Sequence, residues 1–259
     1  MIGPDPNRFP FLDFDGIIAF AHRGGTDVAP ENTIAAFDHA VSLGYRYLET
    51  DVHRTADGTL VAFHDSGLQR FTGTPRAVAD CTWEELQTIR LDHETSDGKV
   101  SQHMIPTLAE LFDRYPNARF NIDPKADDAV DLLAETITSH GAIDRVCIGA
   151  FSDARIGRIK SLLGPAICTS PGPRAVLAAI APWPLPGNHP CVSIPTTFGS
   201  IKLNHRLVRR FHRQGYRIHV WTVNDAVEMH RMIDLGVDGI MTDNCTLLKS
   251  VLVERGLWR

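Results

Sequence analysis

Short runs of β-branched and apolar residues alternate with segments of helical period from residue 17 to the C-terminus of this chain. The runs that we predict as strands are Ile17–Ala21, Tyr45–Asp51, Arg119–Asp123, Val146–Ala150, Ala166–Thr169, Cys191–Ile194, Arg217–Thr222 and Gly239–Thr242. Strands that alternate with helices are typical of a parallel sheet in an α/β protein. Eight such units without a linker-like interval predict a (β/α)8 TIM barrel, a single domain over residues 1–259.

One further strand-like run, Leu60–His64, does not fit this count. Only a turn-like stretch, Thr55–Gly58, separates it from the second strand. A parallel neighbour needs a crossover of about a dozen residues or more, so this run is expected to return antiparallel as the arm of a hairpin. We therefore predict a hairpin-containing insertion after the second strand, at about 53–106, at the end of the barrel where active sites form.

The charge balance limits the partners of this chain. It carries 26 basic and 31 acidic side chains, a formal charge of −5. This mild acidic excess argues against general binding to nucleic acid or to anionic membranes, which usually select a basic surface. Positive charge for an anionic substrate must then be local to its site.

The cysteine pattern indicates a reducing compartment, and the N-terminus and the longest uncharged segment bear on secretion and membrane insertion. The five cysteines are scattered, odd in number and without a Cys-x-x-Cys pair, so neither a disulfide framework nor a thiolate metal site is indicated. The first 16 residues lack the basic start and apolar stretch of a signal peptide. Residues 175–201 are uncharged, but their five prolines would break a membrane helix. We predict a cytoplasmic protein without stable membrane insertion.

Charged side chains follow the ends of the first three barrel strands. His22 and Arg23 end the first strand, Glu49 and Asp51 end the second, and Asp123 ends the third. Because side chains alternate along a strand, both acids of the second strand project to the same side. Neighbouring carboxylates on one face of a strand repel each other unless a cation or a proton lies between them. Oxygen ligands suit magnesium, calcium or manganese. The alternative is a set of solvated or ion-paired polar strand ends.

Other polar and aromatic residues lie near the same predicted mouth. Lys125, two residues beyond the third-strand acid, either contacts a ligand anion or is a surface lysine. If the hairpin arm folds over the mouth, His64 lies opposite His22, and two imidazoles beside a phosphodiester suit general base and acid catalysis. Trp221 either forms a wall for an alcohol group or packs, and His219 is predicted to be a packed barrel residue.

Together these motifs resemble the glycerophosphodiester phosphodiesterase family, within the superfamily of phosphatidylinositol-specific phospholipase C-like phosphodiesterases. The matching motifs are His22-Arg23-Gly24, Pro30-Glu31-Asn32-Thr33, Glu49-x-Asp51-Val52, Thr55-x-Asp57-Gly58, His64-Asp65, Asp123-x-Lys125, Trp221-Thr222-Val223-Asn224 and the run Gly236–Asp243. They run in the order that the family has them. The clearest departure is Asp123, where the family more often has glutamate, and it is followed by Pro124 in place of an aliphatic residue.

The resemblance implies hydrolysis of small-molecule glycerophosphodiesters to sn-glycerol 3-phosphate and an alcohol such as choline or ethanolamine. The implied site has Glu49, Asp51 and Asp123 on one divalent cation (Mg²⁺ or Ca²⁺, with Mn²⁺ as an alternative), His22 and His64 as base and acid, and Arg23 and Lys125 on phosphate, with Trp221 beside the substrate. The attacking hydroxyl belongs either to the neighbouring glycerol carbon or to water.

Two other functions remain open at this point. A lysophospholipase D-like hydrolase of single-chain lipids would keep the site and change the substrate, and apolar groups in the insertion or in the Pro182–Pro195 loop would favour it. A barrel that binds phosphate compounds without turnover is the third alternative. Retained binding without metal-stimulated hydrolysis over a broad panel of diesters would distinguish this binding barrel from both enzymes.

Overall fold

The computed structural model describes residues 5–94, 98–174, 176, 189–198 and 201–259. Its strands are β1 (Ile18–Ala21), β2 (Tyr47–Arg54), β3 (Leu60–Ala62), β4 (Leu91–Glu94), β5 (Val100–His103), β6 (Arg119–Pro124), β7 (Val146–Ile148), β8 (Cys168–Thr169), β9 (Cys191–Pro195), β10 (Thr197–Phe198), β11 (Ile201–Lys202), β12 (Arg217–Trp221) and β13 (Gly239–Thr242). Its helices are α1 (Ile34–Ser42), α2 (Gln69–Thr72), α3 (Trp83–Leu86), α4 (Leu108–Arg114), α5 (Ala129–Ser139), α6 (Asp153–Leu163), α7 (His205–Arg213), α8 (Ala226–Leu235) and α9 (Cys245–Glu254).

Eight parallel strands form a nearly closed barrel. Their order is β8-β7-β6-β2-β1-β13-β12-β9, and each neighbouring pair is parallel. In the described part of the chain β8 and β9 are the two ends of this order, which leaves a seam between them. The Ser193 N–H crosses the seam and donates to Ser170 Oγ at 2.8 Å. The predicted α/β barrel is confirmed.

The second barrel strand is the one that departs most from its predicted bounds. β2 continues beyond Asp51 to Arg54 because β3 pairs with it antiparallel, with Val52 opposite Ala62. This is the pairing expected for the run that begins at Leu60. A second antiparallel hairpin, β4 with β5, lies in the same stretch of chain and was not predicted.

The interior of the barrel has an apolar half and a polar half. Along β2, the buried Tyr47, Glu49 and Asp51 follow one another on the same face. Tyr47 packs with Phe11 and Phe20 at ring centroid distances of 5.3 Å, and its hydroxyl donates to the Phe11 carbonyl at 2.8 Å. The N-terminal segment therefore closes the amino end of the barrel, and the acidic residues lie toward the carboxyl end.

Helices cover the outside of the barrel, and several begin at the caps that the sequence indicates. Thr107 and Glu110 form a complete capping box at the start of α4. The Thr33 hydroxyl accepts from the Ala36 N–H at the start of α1. Every helix in the described ranges is too short or too polar to span a bilayer.

Candidate active site

A cavity of about 430 Å³ lies at the carboxyl ends of the barrel strands. Its charged lining comprises His22, Arg23, Glu49, Asp51, His64, Asp123 and Lys125. Its apolar lining includes Ala150, Phe151, Pro171, Pro173, Val176, Ile194, Pro195, Trp221 and Met241. All eight residues predicted for the site therefore line one cavity, which is polar on the side of β1, β2 and β6.

His22 lies in a turn of 3-10 helix directly after β1, and a carboxylate orients its ring. The His22 Nδ1 lies 2.6 Å from Asp243 Oδ1, at the end of β13. Asn224 holds that carboxylate, since its Nδ2 donates to Asp243 Oδ2 at 2.7 Å and its Oδ1 accepts from the Asp243 N–H. Burial lowers the pKa of His22, but Glu49 and Asp243 outweigh it, and the pKa lies above its usual range.

Arg23 contacts three acidic residues, Glu31, Glu49 and Asp51, from one turn with a left-handed backbone. Its φ of 54° is left-handed, a conformation that non-glycine residues rarely adopt. In this conformation its backbone N–H donates to Glu49 Oε2 at 3.0 Å, and its Nη1 donates to Glu31 Oε1 at 3.1 Å. Its Nε lies 3.1 Å from Asp51 Oδ2, close enough for charge attraction but outside hydrogen-bond geometry.

His64 comes from the hairpin arm and has its own carboxylate. Its Nδ1 lies 2.7 Å from Asp65 Oδ1, and the Arg70 Nε donates to Asp65 Oδ2 at 2.6 Å. The Arg70 Nη2 also donates to Glu31 Oε1 at 2.6 Å, which joins the arm to the loop after β1. Hydrogen bonds from Arg70 hold the pKa of Asp65 at about 2, so this carboxylate is ionised at neutral pH.

The three predicted metal ligands are buried acids, and neighbouring basic groups offset their negative charge only in part. Burial and the neighbouring Asp51 raise the pKa of Glu49 to about 7. Burial also raises the pKa of Asp123. The Lys125 Nζ lies between two of these acids, 2.6 Å from Asp51 Oδ1 and 2.9 Å from Asp123 Oδ2. A further positive charge near Glu49 would therefore be favourable.

The donor set fits a divalent cation that prefers oxygen. The Asp123 Oδ1 and the Asn121 Oδ1 are buried and have no hydrogen-bond partner in the described structure, a costly state for polar atoms. The three carboxylates are not, however, drawn together: the described residues contain one trio of potential ligands within 4.8 Å of each other, and it consists of cysteines. Lys125 lies where Asp51 and Asp123 would otherwise approach a shared ion.

Two acids and two amides are among the supporting residues that had no predicted role in the site. Asp243 and Asn224 follow the ends of β13 and β12, so the strand-end rule that selected the other residues also applies to them. Asp65 adjoins a predicted residue. Asn32 lies in a loop, where only its place in a recognised motif indicates a role, and its Nδ2 donates to Asp51 Oδ2 at 3.3 Å.

Comparisons with known proteins agree with one another. The sequence model of the glycerophosphoryl diester phosphodiesterase family matches residues 22–247. A probable glycerophosphodiester phosphodiesterase 2 of Mycobacterium tuberculosis is 37% identical over 96% of this chain and 95% of its own length. Among solved structures, a putative glycerophosphoryl diester phosphodiesterase from Silicibacter pomeroyi has a TM-score of 0.82 at 24% identity, covering 97% of this chain and 100% of its own.

A further solved structure shows a similar fold with a bound product. It is an Oleispira antarctica phosphodiesterase in complex with the product sn-glycerol-3-phosphate. Its TM-score is 0.75 at 21% identity, and the match covers 92% of this chain and 97% of that chain. At this identity the likeness establishes the shared fold alone.

Proposed function

Because this chain belongs to the glycerophosphoryl diester phosphodiesterase family, we propose that it hydrolyses glycerophosphodiesters to sn-glycerol 3-phosphate and an alcohol. The chain is thus a phosphoric diester hydrolase, and the product bound to the Oleispira antarctica phosphodiesterase supports the choice of substrate. The observation that carries the proposal is the cavity itself, where two imidazoles, each held by a carboxylate, lie among basic and acidic groups.

His22 is the proposed general base. A carboxylate such as Asp243 can only accept a hydrogen bond, so the proton of the neutral ring lies on Nδ1 and the lone pair on Nε2. The ring can then take a proton from the attacking hydroxyl, which belongs to the neighbouring glycerol carbon or to water. Asp243 and Glu49 stabilise the imidazolium that forms, in agreement with the raised pKa of His22.

His64 is the proposed general acid, which protonates the leaving alcohol oxygen. Asp65 accepts a hydrogen bond from its Nδ1, and Arg70 in turn holds that carboxylate in place. The His53 Nε2 lies 3.1 Å from the His64 carbonyl oxygen, which ties the backbone of the arm to β2. One base and one acid placed this way contribute about 10²–10⁴ each to the rate.

Glu49, Asp51 and Asp123 would hold one divalent cation, Mg²⁺ or Ca²⁺ with Mn²⁺ as an alternative. When bound, such an ion polarises phosphate oxygens as a Lewis acid. Arg23 and Lys125 add positive charge for the non-bridging phosphate oxygens, a role that the net charge of −5 leaves to local groups. Trp221 lies at the apolar side of the cavity, where it can pack against the carbon skeleton of the substrate.

Phosphate release measured through a coupled phosphatase tests this function. The assay runs a panel of glycerophosphodiesters with magnesium, calcium or manganese, before and after EDTA. We expect activity that EDTA abolishes and that one of the cations restores. Full activity in EDTA would exclude the proposed metal role of the three acids, and no turnover of any diester would favour a barrel that only binds phosphate compounds.

The apolar side of the cavity favours a second candidate, a lysophospholipase D-like hydrolase of single-chain lipids. The Phe151 ring is 65% exposed and meets the Trp221 ring edge-on at 5.6 Å. Of the Pro182–Pro195 loop, Ile194 and Pro195 line the cavity, and 182–188 lie outside the described residues. Activity on a single-chain lysophospholipid that rises above its micellar threshold, and that Phe151→Ser lowers, would support this candidate over glycerophosphodiesters.

A further inference from the structure

Three of the scattered cysteines meet inside the barrel, below the catalytic cavity. Cys147, Cys168 and Cys191 lie on the successive strands β7, β8 and β9, and their sulfur atoms are all within 4.8 Å of each other. The Cys147 and Cys191 sulfurs are 3.8 Å apart. All three side chains are at most 1% exposed, and none of them lines the catalytic cavity. Their wide spacing in the sequence conceals this cluster.

A buried histidine lies beside Cys191 of this trio, although its ring nitrogens are not within 4.8 Å of all three sulfurs. His219, on β12 beside β9, is 0% exposed, and neither of its ring nitrogens has a hydrogen-bond partner in the described structure. Leaving a buried polar atom unpaired destabilises the folded state. The Cys191 pKa lies below its usual range because the thiols of Cys147 and Cys168 stabilise its thiolate, with a smaller contribution from His219.

We propose that Cys147, Cys168 and Cys191 bind a structural zinc ion, with a ring nitrogen of His219 as the fourth ligand once its side chain turns toward the three sulfurs. Three thiolates and one imidazole are a common ligand set for tetrahedral structural zinc. Zinc–sulfur bonds of about 2.3 Å place the sulfurs of a tetrahedral site about 3.8 Å apart. This is the separation found between Cys147 and Cys191. A ring nitrogen of His219 gains the partner that it lacks.

The chemistry of binding is balanced by proton release. As three zinc–sulfur bonds and one zinc–nitrogen bond form, the ion gives up its water ligands, and each thiol that is still protonated passes its proton to solvent, up to three protons for each zinc ion bound. Neither zinc nor sulfur changes oxidation state. Affinity should therefore rise with pH.

The position of the cluster indicates what the ion would do for the fold. Cys168 lies on β8 and Cys191 on β9, the two strands at which the barrel order ends. A shared ion would cross-link this seam and connect it to β7 and β12. Within the described residues β8 and β9 do not pair through their backbones, and the ion would link them instead. Zinc binding should therefore stabilise the folded chain.

The test uses the full chain, produced with zinc and freed of loosely bound metal. Elemental analysis should find about one tightly held zinc per chain. X-ray absorption at the zinc edge should show about three sulfur neighbours and one nitrogen neighbour. Cys168→Ser should lower zinc affinity by more than about tenfold. The matched controls Cys81→Ser and Cys245→Ser, at buried cysteines outside the trio, should retain it.

Three results would overturn the proposed site. They are the absence of tightly held zinc, a zinc ion with only oxygen and nitrogen neighbours, and a zinc affinity of Cys168→Ser equal to that of the parent chain. The absorption spectrum of the unaltered chain gives a decision even if that variant does not fold. Asp123→Asn distinguishes this site from the catalytic one, because the zinc–sulfur signal should persist when a carboxylate of the cavity is removed.

Discussion

The two histidines of the cavity are supported in different ways. His22 is held by the barrel: its side chain is 13% exposed, and its partner Asp243 is 221 residues away in sequence, on another strand end. His64 is held by its own arm: its side chain is 33% exposed, and its partner Asp65 is the next residue. The barrel therefore fixes the proposed base, while Asp65 and Arg70, both near His64 in the sequence, fix the proposed acid.

The largest expected effect is the loss of either ring. His22→Ala and His64→Ala should each lower kcat/KM for glycerophosphodiesters by about 10²–10⁴-fold, because a proton transfer loses its donor or acceptor. The matched control is His205→Ala, at the exposed start of α7. Activity of either variant within about threefold of the parent chain would refute the assigned pair.

The carboxylate partners come next, and they test the comparison directly. Asp243→Asn should lower kcat by about 10²-fold or more, since an amide can donate to Nδ1 and favour the wrong tautomer of His22. Asp65→Asn should cost only about tenfold, because His64 is more exposed and can reorient. Steady-state kinetics of both variants decide the point, and equal losses would show that the two supports are equivalent.

Removal of Arg70, which holds Asp65 on the arm, should have a smaller effect on kcat. Arg70→Ala frees Asp65 from its guanidinium, and we expect kcat to fall about fivefold, the equivalent of about 1 kcal/mol for a half-exposed pair. Thermal stability should change little. Arg158→Ala removes a comparable ion pair, with Asp131, away from the cavity and is the matched control. A loss of stability without a loss of kcat would show that Arg70 acts on the fold alone.

The smallest expected effect is a pH-dependent change in the stability of the folded chain, and it concerns Asp238. Burial raises the pKa of Asp238, but hydrogen bonds from His212, Ile218 and Arg217 outweigh it and hold the pKa below its usual range. A lowered folded-state pKa stabilises the chain above the unfolded value of about 3.9, and that contribution is lost as pH falls through the folded value.

Asp238→Asn should therefore lower the free energy of unfolding at pH 7 by about 1 kcal/mol, or about 2–4 °C in Tm. The difference from the parent should shrink in strong acid. Thermal unfolding at several pH values measures it, with the exposed Asp128→Asn as control. A gap between parent and variant that stays constant into strong acid would contradict the role of Asp238.

The sequence was most informative where one rule applies to every unit. Strand periodicity and the convergence of strand ends predicted the barrel and brought His22, Glu49 and Asp123 to one cavity. Contacts that depend on loop conformation were beyond this rule. The ion pairs of Lys125 with Asp51 and Asp123 depend on how a side chain turns after β6, which spacing does not determine.

The cysteine cluster was missed for a related reason. Sequence motifs for thiolate sites rely on ligands that are close along the chain. Cys147 and Cys168 are separated by a whole helical crossover, yet they are opposite each other in neighbouring strands. Only the register of the barrel reveals that pairing.

One oxygen atom connects the two sides of the cavity. Glu31 Oε1 accepts from both Arg23, beside the base, and Arg70, on the arm of the acid. Substitutions at these two arginines are therefore expected to be epistatic, since either one alters the partner of the other. In a lineage of such enzymes, the loop after β1 and the arm would have to evolve together, even though each supports a different histidine.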